Sequence, residues 1–317
     1  MKEASARLLV LMTSPLDMIA HALRAVESFK RRLPTLEVTW VVRRFYEPLV
    51  SNFRCVDRTI VFHRSAGLGK AFSLARELRR ERYDFVFDFE GHARTGAMCW
   101  LARGSRKIGR SDAREGATVC YGELVSPPAC GSEHALDSML EFGRVFGLDK
   151  RLIGEPRLIE EPALSFLPNA ESSGRAVCLF PGRFKRERSW PGMFELANRL
   201  AERDPSLQVF LLGMIPEAST IELADGVFDL QGKLTWAEIC AALKRSALTV
   251  ANDNGPAQLS DLFARPNLTL YSYVLPARRG SYADERTERE AIMAPDGDVR
   301  RIELPEVFAR AEKLLRL

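Results

Sequence analysis

Short apolar runs alternate along this chain with longer amphipathic ones. The runs at 7–12, 37–42, 58–62 and 84–89 are brief and rich in Leu, Val, Ile and Phe, which predicts strands. Between and after them, 17–31, 67–80 and 93–102 repeat apolar residues at helical spacing, and 134–147 does so again before ending at its glycine. Such a βαβα rhythm argues for a parallel sheet covered on both faces. The stretch 154–174 breaks it with Pro156, Pro162, Pro168 and a Ser172-Ser173-Gly174 turn, and reads as a linker. The rhythm then restarts, with strands at 175–180, 207–212, 227–230, 247–251 and 267–271. Helices are expected at 191–203, 236–246, 255–264 and, last, 305–317. The expectation is two doubly wound α/β domains, 1–160 and 161–317, alike in architecture but without a plain sequence repeat. Domains of this kind bind ligands at the carboxyl ends of their strands. The candidate loops therefore follow Met12, Phe89, Phe180, Leu212, Leu230 and Ala251.

A length of 317 residues fits two cores better than one. A net charge of +4 on that length is mild and does not call for a nucleic-acid partner. Six cysteines form no Cys-x-x-Cys pair and four histidines are scattered, so neither disulfides nor a metal site is expected. No run approaches the ~18 apolar residues of a membrane span. The chain reads as cytoplasmic. The basic residues Arg24, Lys30, Arg31, Arg32, Arg43 and Arg44 suggest either attraction to an anionic membrane or substrate or ordinary solvated charge.

Two junctions carry candidate chemistry. In Leu248-Thr-Val-Ala-Asn-Asp253-Asn254-Gly255-Pro256, an apolar run ends in a carboxylate and turns straight into a helix. Free N–H groups after Gly255, with Asn254 beside them, suit a diphosphate, and Asp253 would fix the turn; a simple helix cap is the alternative. In 178–191, a strand, Gly182 and a helix opened by Pro191 enclose Arg183, Lys185, Arg186 and Arg188. Four cations in six residues can neutralise a leaving diphosphate without a metal, or lie solvated. In the first half, Asp17 follows the first strand and can act as a general base or as a first-turn acid favoured by the helix dipole. His21, one turn on, makes a surface pair with it more readily than a relay. Glu90, His92 and Arg94 follow the fourth strand around Gly91 and suit an acceptor sugar.

Taken together, these residues resemble glycosyltransferase family 9, the ADP-heptose:lipopolysaccharide heptosyltransferases. The resemblance rests on Phe180-Pro-Gly182, Trp190-Pro191, Leu212-Gly213, Glu217, Gln231-Gly232-Lys233-Leu234, Asp253-Asn-Gly255-Pro256 and Tyr271-Ser-Tyr-Val-Leu-Pro276. In the first half it rests on Asp17, Trp40-Val-Val42, Asp88-Phe-Glu-Gly91, Lys107-Ile-Gly109 and His134-Ala-Leu-Asp137. It implies a GT-B fold, two Rossmann-like domains facing each other across a cleft, and an inverting transfer from an ADP-sugar to a lipopolysaccharide core or related glycan. Beyond the ADP-sugar it implies no cofactor and no metal. Asp17 matches the family's base. Arg183, Lys185 and Arg188 fall near its phosphate contacts, Glu217 at the ribose, Leu234 near the base, and Asp253, Asn254 and Gly255 at the diphosphate turn. The last helix would cross back to the first domain. The chain departs from the family in having Leu11 for Arg, Leu16 for Gly, Gln258 for His and Leu275 for Asp. A non-catalytic nucleotide- or glycan-binding member of the same fold stays open beside the enzyme.

Overall fold

The structure, a computed structural model, describes residues 6–64, 67–126, 134–164, 176–182, 189–253, 255–273, 278, 280, 282 and 288–317. The chain divides into two compact units, Met1–Ile159 and Glu160–Leu317.

The first unit holds six strands: β1 (Arg7–Leu11), β2 (Glu37–Arg43), β3 (Arg58–Phe62), β4 (Tyr83–Asp88), β5 (Gly104–Arg110) and β6 (Glu123–Val125). All pair in parallel, in the order β3-β2-β1-β4-β5-β6. Its helices are α1 (Leu16–Arg32), α2 (Glu47–Val50), α3 (Leu68–Leu78), α4 (Ala93–Leu101) and α5 (Ala135–Leu140). The central strand β1 is apolar at every position after Arg7, because a parallel strand with helices on both faces has no wet side. One face buries Leu9, Leu11, Val86, Leu78 and Met98. On the other, Phe29 of α1 meets Phe87 with ring centroids 6.4 Å apart, and Phe142 lies 5.2 Å from Phe87 and 4.9 Å from Phe89. Such aromatic pairs add roughly 0.5–1.5 kcal/mol each beyond their burial.

The second unit repeats the plan with β7 (Ala176–Phe180), β8 (Gln208–Leu211), β9 (Val227–Asp229), β10 (Ser246–Asn252), β11 (Asn267–Tyr271) and β12 (Arg289–Met293). The order is β12-β11-β10-β7-β8-β9, again all parallel. Its helices are α6 (Met193–Arg203), α7 (Trp236–Arg245), α8 (Gly255–Asp261) and α9 (Leu304–Leu315). A Thr235–Glu238 capping box starts α7, each side chain closing the other residue's free N–H. Numbered from its first strand, each sheet runs 3-2-1-4-5-6, the Rossmann order, so the chain reverses direction between β1 and β4 and between β7 and β10.

Three strands, β5, β6 and β12, lie where the sequence pattern predicted no element. The helix expected over 134–147 divides into α5 and a 3-10 segment, Glu141–Phe146, that ends at Gly147 with φ of 75°. The last helix, α9, packs into the core of its own unit. Val307, Ala311 and Leu314 enter the second unit's own core with Val177, Leu200 and Leu268, and Trp190 Nε1 donates to the Ile302 carbonyl at 2.9 Å. Among the described residues no helix is long and apolar enough to cross a membrane.

Candidate functional site

In the first unit the reversal point lies at the carboxyl ends of β1 and β4. The loop after β1 is held from three sides. Trp40 Nε1 donates to the Met12 carbonyl at 2.9 Å, and the Arg43 N–H donates to the Thr13 carbonyl at 3.4 Å. Glu90 Oε2, from the loop after β4, accepts from both the N–H and the hydroxyl of buried Thr13, at 2.8 and 2.7 Å. The other oxygen of Glu90 accepts from Arg94 Nη2, so the carboxylate's two oxygens serve two neighbours. Arg94 also lies over the Phe62 ring, 5.3 Å from its centroid. Burial, then the like charges of Arg64 and Arg94, lower the pKa of Arg43, while Glu90 opposes them. The Nε atoms of Arg43 and Arg94 are buried without a hydrogen-bond partner among the described residues. Three guanidiniums with one carboxylate among them form a site ready for an anion.

Asp17 sits in the first turn of α1, half-buried, where the helix dipole favours its charge. Burial raises the Tyr46 phenol pKa, Arg43 lowers it, and Asp17 raises it, which places Asp17 in the field of the same group of residues. His21 is not on the surface as expected. It is buried edge-on against His134, with ring centroids 4.6 Å apart. His92 precedes α4 and is half-exposed, its Nδ1 3.7 Å from Glu115 Oε1. Asp88 has a structural task. Its Oδ1 accepts from the N–H groups of Glu90 and Gly91 at 3.0 and 2.9 Å, and its Oδ2 accepts from the Tyr121 hydroxyl at 2.7 Å. Burial pushes its pKa up to about 6, against the pull of these hydrogen bonds.

In the second unit the loops after β7, β8, β9 and β10 converge at one sheet end. Asn252 is buried there. Its Nδ2 donates to the carbonyls of Phe180 and Pro181 at 3.3 and 3.1 Å, and its Oδ1 accepts from the Trp190 N–H at 2.8 Å. Gly182 brings its backbone beside Glu217: a Cβ there would lie 3.6 Å from Glu217 Oε2. The Glu217 N–H donates to Gln231 Oε1 at 3.0 Å, and the Gly232 N–H to the Gly213 carbonyl at 2.7 Å. Gly232 has φ of +69°, and a Cβ on it would press on the Pro216 ring at 3.0 Å. Asp253 is buried and its N–H donates to the Leu270 carbonyl at 2.8 Å. Gly255 opens α8, where Gln258 is buried.

Of the residues expected at the nucleotide site, Glu217, Leu234, Asp253, Gly255 and Gln258 therefore lie on loops or helix starts at this end of the second sheet. Arg183, Lys185, Arg188 and Asn254 lie outside the described residues. Thr13 and Asn252 were not singled out in the sequence, and Arg43 was read there only as part of a general basic tendency. Each is a polar residue at the end of an apolar run, which is the signal that could have found them. The expected basic face of the first half is mostly consumed within the fold. Arg24 is buried, Lys30 pairs with Asp57, Arg31 with Glu27 and Arg32 with Asp149, which leaves Arg43 at the site and Arg44 exposed.

Residues 71–300 match the model of the family described as "Glycosyltransferase family 9 (heptosyltransferase)". The chain belongs to glycosyltransferase family 9. It is thus a glycosyltransferase. It is 23% identical to the lipopolysaccharide core heptosyltransferase OpsX of Haemophilus influenzae, over 88% of this chain and 83% of that protein. It is 24% identical to lipopolysaccharide heptosyltransferase 1 of Salmonella typhimurium, over 96% and 99%. Among solved structures it resembles the E. coli heptosyltransferase WaaC with ADP, with a TM-score of 0.78 at 21% identity, covering 97% of this chain and 99% of that one. It also resembles a family 9 glycosyl transferase from Veillonella parvula, with a TM-score of 0.80 at 17% identity, covering 100% and 99%. The fold of this family 9 member is accordingly GT-B, two parallel-sheet α/β units.

Proposed function

We propose that this family 9 glycosyltransferase moves heptose from an ADP-sugar to a lipopolysaccharide core acceptor in a single inverting displacement. One observation carries the reading: in each unit, residues that match the family's motifs gather where the sheet's strand order reverses. Asp17 takes the proton of the acceptor hydroxyl, which attacks the anomeric carbon opposite the leaving diphosphate. Glu217 holds the ribose, and Leu234 lies near the base. The turn of Asp253, Asn254 and Gly255, with Gln258 behind it, receives the diphosphate. Arg183, Lys185 and Arg188 stabilise the departing charge, so the reaction runs without a metal or further cofactor. Arg43, Arg64 and Arg94 suit an acceptor that carries carboxylate or phosphate, with His92 on the neighbouring turn. The names of the relatives support the acceptor class, and a solved WaaC with ADP-2-deoxy-2-fluoro heptose supports the donor class. Such an acceptor places the enzyme in the cytoplasm, in peripheral contact with the inner face of the inner membrane, and asks for no nucleic-acid partner.

The test is transfer by the purified protein across a panel of sugar nucleotides with EDTA present, beside calorimetry of ADP. Turnover with ADP-heptose and a Kd for ADP raised at least about tenfold by Glu217→Ala are expected, the latter for a lost charge-assisted bond. Absence of transfer with every donor would favour a binding protein. Activity that returns only with added magnesium or manganese would remove the metal-free step.

A further inference from the structure

The outer surface of the first unit carries a feature that transfer does not use. Phe72 on α3, Trp100 on α4 and Val119 in the 3-10 turn Ala117–Cys120 are 75%, 65% and 87% exposed. All three belong to one layer. The crossovers β3-α3-β4 and β4-α4-β5 lie on the same face of the sheet, whose core holds Leu78 of α3 with Met98 and Cys99 of α4. Arg79 Nη1 of the chain just after α3 donates to the Leu101 carbonyl of α4 at 3.3 Å, which makes the two helices neighbours. On the far side of α4, Gly96 allows Ala117 to close in: a Cβ on Gly96 would sit 3.0 Å from the Ala117 Cβ. The three large apolar side chains thus stand on three adjacent elements of one layer.

Cations accompany them. Lys70 and Arg76 are exposed on α3, four residues apart or less from Phe72, and neither side chain has an ion-pair partner among the described residues. Arg80 follows one turn later, with its nearest carboxylate, Glu77, at 3.7 Å. The outer helices of the second unit are built differently. Arg199 pairs with Glu195 at 2.8 Å, Arg203 with Glu312 at 2.8 Å, and Arg310 and Lys313 both meet Glu290, at 2.7 and 2.6 Å. Each of these four cations is held by a carboxylate, as a surface facing only water tolerates. The layer of α3 and α4 instead combines exposed Phe and Trp with the cations of Lys70 and Arg76, which no described carboxylate pairs, and with Arg80, held only loosely by Glu77, a combination that settles at the headgroup level of an anionic bilayer.

We propose that the α3–α4 layer is a lipid-docking surface: Phe72, Trp100 and Val119 enter the headgroup region of an anionic membrane, while Lys70, Arg76 and Arg80 meet lipid phosphates. This deepens the peripheral contact named under the proposed function by assigning it to one face, and it needs neither donor nor acceptor to be tested. The cations supply long-range attraction that salt weakens, and the aromatic residues supply insertion that salt leaves intact.

The protein's tryptophans provide the readout. Trp40, Trp190 and Trp236 are buried, at 0%, 3% and 6% exposure, so Trp100 is the tryptophan that a changed surface can reach. With the protein alone, vesicles of phosphatidylcholine containing phosphatidylglycerol are expected to shift the emission to the blue and to carry the protein down on sedimentation. Phosphatidylcholine alone does neither. The Trp100→Phe variant is expected to sediment without the shift. The Phe72→Ser/Trp100→Ser variant, and separately Arg76→Ser/Arg80→Ser, are expected to bind at least about tenfold more weakly, with unchanged thermal melting. Wild type that fails to bind phosphatidylglycerol vesicles at low salt overturns the proposal. So do folded double variants that bind as the wild type does. A wild-type dimer that the aromatic double variant converts to monomer would make this face an interface between copies, and would equally overturn it. Because no sugar nucleotide is present, failure here leaves the transfer reading untouched, and failure of transfer leaves this one standing.

Discussion

The two units share a strand order and differ in how each closes its reversal point. In the first, a carboxylate does it: Glu90 reaches from the loop after β4 to the N–H and hydroxyl of Thr13 after β1, with Arg94 on its other oxygen. In the second, an amide at the corresponding strand end does it: Asn252 of β10 holds the carbonyls after β7 and the Trp190 N–H. The partners explain the choice. Thr13 offers two donors, which a carboxylate accepts. Phe180 and Pro181 offer carbonyls, which need a donor, while Trp190 offers an N–H, so only an amide satisfies all three. The consequence is electrostatic. The first unit keeps guanidiniums around its reversal point with one carboxylate among them, whereas the second closes with a neutral group and leaves the turn's charge to its ligand and loops.

The largest expected effect breaks the neutral closure. Asn252→Asp removes both donors and sets a buried charge against two carbonyl oxygens. A loss of about 3–5 kcal/mol in urea unfolding is expected, the scale of an uncompensated buried charge. A loss under about 1 kcal/mol would mean that the amide merely fills space and that the two closures are not comparable.

The first unit's buried carboxylate predicts a tilt with pH. The pKa of Asp88 is raised from 3.8 to about 6 by burial. A raised acid holds its proton in the folded chain after the unfolded chain has released it. Its contribution to stability is therefore complete below about pH 4 and is lost as pH rises to about 6. In Asp88→Asn the Nδ2 can donate to Tyr121, and the turn over Glu90 and Gly91 keeps its acceptor. Relative to wild type, the variant should gain about 3 kcal/mol between those pH values, two pKa units at the usual conversion. A constant difference between the two proteins across that window would deny the raised pKa.

Much of this architecture is readable in the chain because a buried parallel strand must be apolar at nearly every position. The unread strands are those that form for another reason. In β5 the only apolar residue is Ile108, and its glycines serve close contacts: a Cβ on Gly104 would meet Val86 at 2.4 Å, and one on Gly109 would meet Tyr121 at 2.2 Å. Nothing local in Gly-Ser-Arg-Lys announces that. The same holds for the closures. Asp17, Glu217 and Asp253 stand out because carboxylates after apolar runs are conspicuous. Asn252 reads as one more residue of a turn, since its partners Trp190, Pro181 and Phe180 are 62, 71 and 72 positions away. The role of Glu90 likewise depends on Thr13, 77 positions earlier.

Turnover itself sharpens the contrast, because the proposed base stands in the charged unit alone. Asp17→Asn keeps shape and a first-turn polar group but cannot take a proton at neutral pH. Transfer is expected to fall at least about 100-fold, the lower end for a general base. Melting temperature and ADP affinity should stay nearly constant, since the dipole contribution of a first-turn acid is typically about 0.3–1 kcal/mol. A variant that still transfers at the wild-type rate would reduce Asp17 to a helix-start acid.

The smallest effect tests whether the charged closure serves the reaction or only the fold. Glu90→Gln can keep Thr13's two hydrogen bonds on its amide oxygen. Its NH₂ group then faces Arg94, donor against donor, and Arg94 is left with the Thr13 hydroxyl at 3.4 Å and the Phe62 ring. The charge that counters Arg64 and Arg94 at Arg43 is lost as well, so the three guanidiniums repel one another more. A charge-assisted hydrogen bond contributes roughly 1.5–3 kcal/mol. If part of that holds the loop leading to Asp17, turnover should fall about tenfold, with a changed KM for an anionic acceptor. ADP affinity should not move, because the nucleotide turn is closed by Asn252 instead. Steady-state kinetics beside ADP calorimetry separates the outcomes. Unchanged kinetics would make Glu90 a packing residue. An altered ADP Kd would show that the two closures do not act independently, and the comparison between the units would fail at that point.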